Sequence, residues 1–144
     1  MPYTPLEDVR KFHDIFAPHQ REDDFLTKTE RRINLIHEEY EEVEEAIIHL
    51  EDTRLNLTSS TLEEATEELA KELADLLYVV YGTADELGIP LQQVFAAVHK
   101  SNMSKLWPDG TVRYNDFGKV LKPDTYKKPD LSFIHDHSLL PTNS

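Results

Sequence analysis

The sequence predicts an all-α protein, a bundle of four to five helices followed by a short irregular or hairpin-containing C-terminal segment. Three observations carry that prediction. Apolar residues recur at spacings of three and four through two long stretches: Ile33, Ile36, Tyr40, Val43, Ile47, Leu50, and then Leu62, Ala65, Leu69, Leu73, Leu76, Val80, Leu87. That is the period of a helix with one buried face. Hydroxyl residues followed three positions later by glutamate precede the helical stretches, as capping boxes do. Strand-like composition is confined to two short runs, 111–114 and 119–121.

Taken in order, Thr4-Pro5-Leu6-Glu7 is a capping box with proline at the first helical position. A short helix follows with Val9, Phe12 and Phe16 on one face, and Pro18 ends it. Core packing is the preferred use of the two phenylalanines. Residues 18–26 read as a polar loop. Thr27-Lys28-Thr29-Glu30 is a second box, predicting a long helix over 28–50 with Arg31 and Arg32 near its start. Those two arginines read as phosphate contacts or as solvated helix surface, and the second reading is preferred. Residues 56–61 form a polar linker, and Ser60 with Glu63 supplies a third box for a helix that runs to Leu87. Gly88 is placed to end it and Pro90 to begin the next. The fourth helix, 90–106, turns Leu91, Val94, Phe95 and Val98 inward and carries His99, Asn102 and Lys105 along an adjacent strip. Trp107-Pro108-Asp109-Gly110 breaks it. The runs 111–114 and 119–121, joined through Asn115-Asp116-Phe117-Gly118, are placed to pair as a small hairpin. The expected organisation is one domain over 1–130 and a loosely held tail over 131–144.

Within the two long helices, one device repeats. Glu39 and Glu42 lie one turn apart on the flank of the first stripe, beside Leu35 and Ala46. Glu72 and Asp75 fall at the same offset from the second stripe, next to Val79. Packing the stripes together would bring two i, i+3 carboxylate pairs to the rim of one core. Four carboxylates held close repel one another or bind protons more tightly. A hard divalent cation removes the conflict, and oxygen-only ligands suit Mg²⁺ or Mn²⁺. The bland alternative is a solvated acidic face, which is the reading for Glu41, Glu44, Glu45, Glu63, Glu64 and Glu67. For the matched pairs the shared phase favours the metal.

Composition narrows the classes. A chain of 144 residues suits one domain, and burial of about 70% of its unfolded surface is expected at that size. It has no cysteine, so neither disulfides nor thiol chemistry enter, which fits a cytoplasmic setting. No apolar run approaches membrane-spanning length, and no signal peptide is apparent, so no membrane partner is expected. A formal charge of −13 argues against binding nucleic acid polymers. The charge is uneven: residues 1–99 hold 23 of the 28 acids, and residues 100–128 hold seven of the 15 Lys and Arg. An acidic metal-binding body with a basic tail suits an anionic, metal-bound substrate; tail basics that simply neutralise the body are the alternative.

Glu38-Glu39-x-x-Glu42 followed some thirty residues later by Glu72-x-x-Asp75 resembles the EExxE…ExxD signature of the all-α nucleoside triphosphate pyrophosphohydrolases. That superfamily includes MazG-type enzymes, dimeric dUTPases and phosphoribosyl-ATP pyrophosphohydrolases. The likeness runs from about Val9 to Asp130. It is closest to the MazG-like, dUTPase-related branch, whose downstream segment resembles His99-Lys100-Ser101-Asn102-Met103-Ser104-Lys105 and Gly118-Lys119-Val120-Leu121-Lys122-Pro123.

The resemblance implies a MazG-like bundle that hydrolyses a (deoxy)nucleoside triphosphate, dUTP being the specific guess, to monophosphate and pyrophosphate in nucleotide-pool house-cleaning. Glu39, Glu42, Glu72 and Asp75 are the expected metal ligands. Glu38 either completes a second metal site or orients and deprotonates the attacking water, so the catalytic candidates are Glu38 and Glu39. Asn102, which can donate and accept, is a candidate for a base or sugar edge. Lys105 is a candidate phosphate contact, and Lys119, Lys122 and Tyr126 are placed to close over the phosphates. Phe12, His13 and Phe16 are an alternative lining for a base pocket. The four helices look insufficient to cover both faces of the central pair, which predicts a homodimer or higher homo-oligomer. Two rivals stand beside this reading: a phosphoribosyl-ATP pyrophosphohydrolase with the same chemistry on a larger substrate, and a non-catalytic acidic bundle that binds metal or a partner through its stripes.

Overall fold

The computed structural model describes residues 4–135. Among them are four α-helices: α1 (Pro5–Phe16), α2 (Phe25–Arg54), α3 (Leu62–Leu87) and α4 (Leu91–Met103), with 3-10 turns at Pro18–Glu22 and Ser132–His135. The chain divides into two compact units, Met1–Leu87 and Gly88–Ser144. The all-α expectation holds.

Local chemistry sets the helix starts. Thr4 caps α1: Glu7 N–H donates to its Oγ1 at 3.4 Å, and its hydroxyl donates to Glu7 Oε2 at 2.6 Å. The long helix begins at Phe25, earlier than expected, and extends to Arg54. The reason for the early start is Asp24, whose carboxylate accepts from Thr27 N–H at 2.9 Å, so the cap lies upstream of the Thr27-to-Glu30 box. The box at the start of α3 is shifted by one residue from Ser60 and Glu63. Glu64 N–H donates to Thr61 Oγ1 at 3.1 Å, and Thr61 N–H donates back to Glu64 Oε2 at 2.9 Å.

In the first unit α2 and α3 form the most extensive pairing, and α1 packs on α3. The pairing is antiparallel: Arg32 near the start of α2 meets Glu86 near the end of α3, and His49 near the end of α2 meets Glu68 near the start of α3. Val9, Val43, Ala46, Ala65 and Ala84 are buried. Much of the predicted stripe is not. Ile33, Tyr40 and Ile47 on α2 and Leu73 on α3 are exposed, as are Phe12 and Phe16, the latter 68% exposed. The two phenylalanines are therefore not core residues of this chain. They form an exposed aromatic cluster with Tyr78, Phe12 stacking on Phe16 at 4.7 Å and meeting Tyr78 edge-on at 5.5 Å between ring centroids.

What fastens α1 and α2 to the end of α3 is charge. Asp85, with its side chain 2% exposed, accepts from Arg10 Nε at 3.0 Å and Arg21 Nη1 at 2.6 Å, and its Oδ2 lies 2.9 Å from His13 Nδ1. Burial alone would raise this carboxyl, but the hydrogen bonds from His13, Arg21 and Arg10 outweigh it and hold it at about 2. Glu86, one residue on, meets Arg31 Nη2 at 2.5 Å and Arg32 Nε at 2.6 Å. Arg31 also donates to Asp23 at 2.7 Å. The reading of Arg31 and Arg32 as solvated surface is thus corrected: Arg32 is buried, and both are spent on Glu86. Gly82 makes room for this layer. A Cβ there would sit 2.4 Å from Arg32 Nη1 and 3.1 Å from His13 Cε1, so a side chain at this position would displace the Arg32 guanidinium and crowd His13.

In the second unit Gly88, at φ 66°, separates α3 from α4, and α4 ends at Met103, three residues before the expected 106. Phe95, expected to face inward, is 73% exposed, whereas Leu91 and Val94 are half-buried. The predicted hairpin is reduced to one antiparallel bridge, Tyr114 with Val120, closed by Asn115 N–H donating to Lys119 O at 2.9 Å and Leu121 N–H donating to Arg113 O at 2.7 Å. Asn115 diverts the ladder: its side-chain oxygen accepts from the N–H groups of Phe117 and Lys119, both at 2.9 Å. The tail beyond Asp130 starts with the short turn Ser132–His135; the rest of it, 136–144, lies outside the described residues.

Candidate active site

The antiparallel α2–α3 pairing brings the two carboxylate pairs face to face. Ligand oxygens of Glu39, Glu72 and Asp75 lie within 4.8 Å of one another. Glu42 joins them: its carboxyl is raised above the usual glutamate range, chiefly by a hydrogen bond shared with Glu72 and then by the charge of Glu39. Glu39, Glu72 and Asp75 thus converge, and Glu42 stands beside them, close enough to Glu72 and Glu39 to feel their charge. Glu38, next in the chain, is exposed on the adjacent side of α2.

Three features describe what this cluster lacks and what it can hold. Glu39 Oε2 and Glu72 Oε2 are buried with no hydrogen-bond partner, a costly state for carboxylate oxygens. Cationic compensation comes from the side: Lys71 Nζ sits 3.0 Å from Glu72 Oε1 and 2.9 Å from Asp75 Oδ2, and these two hydrogen bonds raise its pKa above the usual lysine range. The donor set is oxygen only, with no histidine or cysteine among the converging atoms. Orphaned buried oxygens, surplus negative charge and hard donors together fit a hard divalent cation of the Mg²⁺ or Mn²⁺ kind.

The helix faces explain why the cluster sits where it does. Along α3 the residues Glu72, Asp75, Val79, Gly82 and Glu86 follow one another at three and four, and along α2 Arg32 and Glu39 are two turns apart. The same α2–α3 seam therefore carries the carboxylate cluster at one level and the Arg32–Glu86 contact at another. Asp85 and Glu86 were not anticipated as the fastening point. The available signal was a pair of adjacent acids closing the otherwise apolar run from Leu76 to Ala84.

The second unit holds the remaining candidates. Lys105 Nζ, two residues past the end of α4, donates to Asn102 Oδ1 in its last turn at 3.0 Å. Lys122 Nζ stands 4.6 Å from the Tyr126 ring centroid. The Tyr126 phenol is lowered by the Ser101 hydroxyl and then by the charges of Lys122, Lys105 and Lys128, which places these groups in one cationic neighbourhood. Lys119 has an exposed side chain, and its backbone N–H and C=O are used in the Asn115 turn. His13, considered for a base pocket, is buried and engaged with Asp85.

Comparison with known proteins agrees with the geometry. Over 73 residues, 51% of this chain, the sequence is 36% identical to an uncharacterized protein of Acanthamoeba polyphaga mimivirus, and the match spans 29% of that protein's length. Among the described residues no helix is long and apolar enough to cross a membrane. Residues 9–102, which carry both carboxylate pairs and all of α2 and α3, match the family model of phosphoribosyl-ATP pyrophosphohydrolase. The chain belongs to that family of pyrophosphohydrolases, within the MazG-like all-α nucleoside triphosphate pyrophosphohydrolase superfamily, whose members are typically metal-dependent.

Proposed function

We propose that this protein hydrolyses a (deoxy)nucleoside triphosphate, dUTP being the specific candidate, to the monophosphate and pyrophosphate in the cytoplasm, as nucleotide-pool house-cleaning. The observation that carries the reading is the convergence of Glu39, Glu72 and Asp75, with Glu42 beside them and buried carboxylate oxygens lacking partners. Glu39, Glu42, Glu72 and Asp75 hold Mg²⁺, with Mn²⁺ as the alternative ion. When bound, the metal neutralises phosphate oxygens and favours attack at the α-phosphorus.

The chain's own groups do the rest. Glu38, exposed and one residue from the cluster, accepts the proton of the attacking water or completes the ion's ligand set. Asn102 and Lys105 address the sugar and phosphates, and Lys119, Lys122 and Tyr126 the remaining phosphate charge. The exposed Phe12, Phe16 and Tyr78 cluster offers a face on which a base can stack. Phosphoribosyl-ATP is the second reading for the substrate, favoured by the description of the matching family.

Product identity tests the reaction. The purified protein with Mg²⁺ and a panel of common nucleoside triphosphates, dUTP and phosphoribosyl-ATP is expected to yield monophosphate-type product and pyrophosphate. Diphosphate with orthophosphate would overturn cleavage between the α and β phosphates.

The same reading includes a homodimer or larger homo-oligomer. Phe16, Ile33, Tyr40, Ile47, Leu73 and Leu77 are exposed on helices of one unit, apolar surface of the kind that a second copy would cover. Light scattering on the eluted protein is expected to give at least twice the 16.7 kDa chain mass; a monomer at micromolar concentration would remove this part of the proposal.

A further inference from the structure

We propose that Lys71 is a positioning residue for the carboxylate cluster: its ammonium group holds one oxygen of Glu72 and one of Asp75, and leaves their other oxygens to a divalent cation. The inference rests on the metal reading of that cluster and adds to it a residue that is itself no metal ligand.

The two oxygens of Glu72 stand in different surroundings. Lys71 Nζ donates to Oε1 at 3.0 Å, whereas Oε2 is buried without a hydrogen-bond partner. Asp75 is held from the same side, its Oδ2 2.9 Å from the same nitrogen. One ammonium group therefore brackets two acids that lie one turn apart on α3. The spacing makes this bracket local: Lys71 directly precedes Glu72 and is the i partner of Asp75 at i+4, a distance that a lysine stem spans along one helix face. Among the described residues no other Lys, Arg or His forms an ion pair with Glu39, Glu42, Glu72 or Asp75. A carboxylate held at one oxygen cannot swing freely about its last torsions, so the other oxygen keeps its aim.

Two effects of Lys71 oppose each other. Its charge repels a divalent cation, and its hydrogen bonds orient the groups that would hold one. The Lys71 side chain is 66% exposed, so water and salt screen the repulsion, while Glu72, at 13%, is largely enclosed and responds to orientation. Exposed ion pairs contribute little to folding. Hydrogen bonds to ligating carboxylates from outside the coordination shell act differently: their loss typically costs about 10–100-fold in metal affinity. Orientation is therefore the larger of the two effects, and Lys71 favours the ion in spite of its charge.

The sign of one measurement separates them. The full chain, stripped with EDTA and dialysed, is titrated with Mn²⁺ and no nucleotide, and the free ion is read from its electron paramagnetic resonance signal. Lys71→Met keeps the stem without the ammonium group and is expected to weaken Mn²⁺ binding about tenfold. Lys71→Arg, which restores charge and donors, is expected to return to within about threefold of the parent. Lys11→Met removes an exposed lysine of α1 and is expected to stay within about twofold, as a control for net charge. Circular dichroism melts of the metal-free variants confirm that each is folded. Unchanged or tighter Mn²⁺ binding in Lys71→Met overturns the proposal, because a cation that only repels or competes with the metal gives that sign. So does Lys71→Arg as weak as Lys71→Met, or equal weakening in Lys11→Met. A parent chain that binds no Mn²⁺ overturns the metal reading and this inference with it; a parent that binds and a Lys71→Met that binds equally well removes the positioning role alone.

Discussion

Glu39→Ala and Asp75→Ala are each expected to lower kcat by about a thousandfold or more while leaving helix content unchanged. The geometry sets the size of the effect. Three ligand oxygens converge within 4.8 Å, so removal of one leaves a cation site with too few hard donors and a misplaced charge. The folds of the variants should be sound, because Glu39 adds repulsion to the metal-free chain and Asp75 gives up only a solvent-exposed pair with Lys71 one turn away. The sign of the stability change separates this account from a structural one. Glu42 sits above the usual glutamate range because Glu72 and Glu39 crowd it. A carboxyl raised in this way stabilises the folded chain most below its unfolded value, and that stability is lost as pH rises through its folded value. Metal-free protein should therefore melt higher on mild acidification, and Glu39→Ala should weaken that dependence. Added Mg²⁺ should raise the melting temperature of the parent and not of either variant. Full activity in Glu39→Ala or Asp75→Ala would show that these groups are not ligands.

Asp85→Asn is expected to cost about 3–5 kcal/mol of folding stability at neutral pH. The substitution keeps the shape but leaves Arg10, Arg21 and the buried His13 facing a neutral amide. Part of that loss is visible as a pH dependence. A carboxylate depressed from 3.8 to about 2 gives stability that is fully present above 3.8 and lost as pH falls through 2. Its share is about 2 kcal/mol, and with the side chain almost wholly enclosed there is little solvent screening to subtract. Denaturant melts of parent and variant should differ most near neutrality and converge towards pH 2. Equal stability at neutral pH would show that α1 is held to α3 by apolar contacts alone. Activity is a useful second readout, because Asp85 lies ten residues beyond Asp75 on the same helix and contributes no oxygen to the carboxylate cluster.

The carboxylate pairs were legible because their pattern is local. A spacing of three places Glu39 with Glu42 and Glu72 with Asp75 on single helix faces, and the stripe phase says which face meets the partner helix. Capping was legible to within a residue or a turn: Thr4 caps as its spacing suggests, while Asp24 displaces the Thr27 box by three residues and Thr61 the Ser60 box by one. The ion network was not legible. Arg31 and Glu86 are 55 positions apart, and nothing near Arg32 marks it as buried where arginines usually meet water. The aromatic face of α1 was misjudged for a related reason. Periodicity shows that Phe12 and Phe16 share a side of the helix, but not whether this chain supplies the surface that covers it.

By itself the sequence determined the helices, their breaks, and two acidic pairs in matching phase, since propensity, capping and periodicity act over a few residues. The tertiary structure decided that α2 and α3 run antiparallel in a register that merges the two pairs, and that Asp85 and Glu86 gather the arginines of α1 and α2. Those outcomes depend on contacts between residues tens of positions apart. Their energies come from desolvated charge, which exists only once the helices have closed over it.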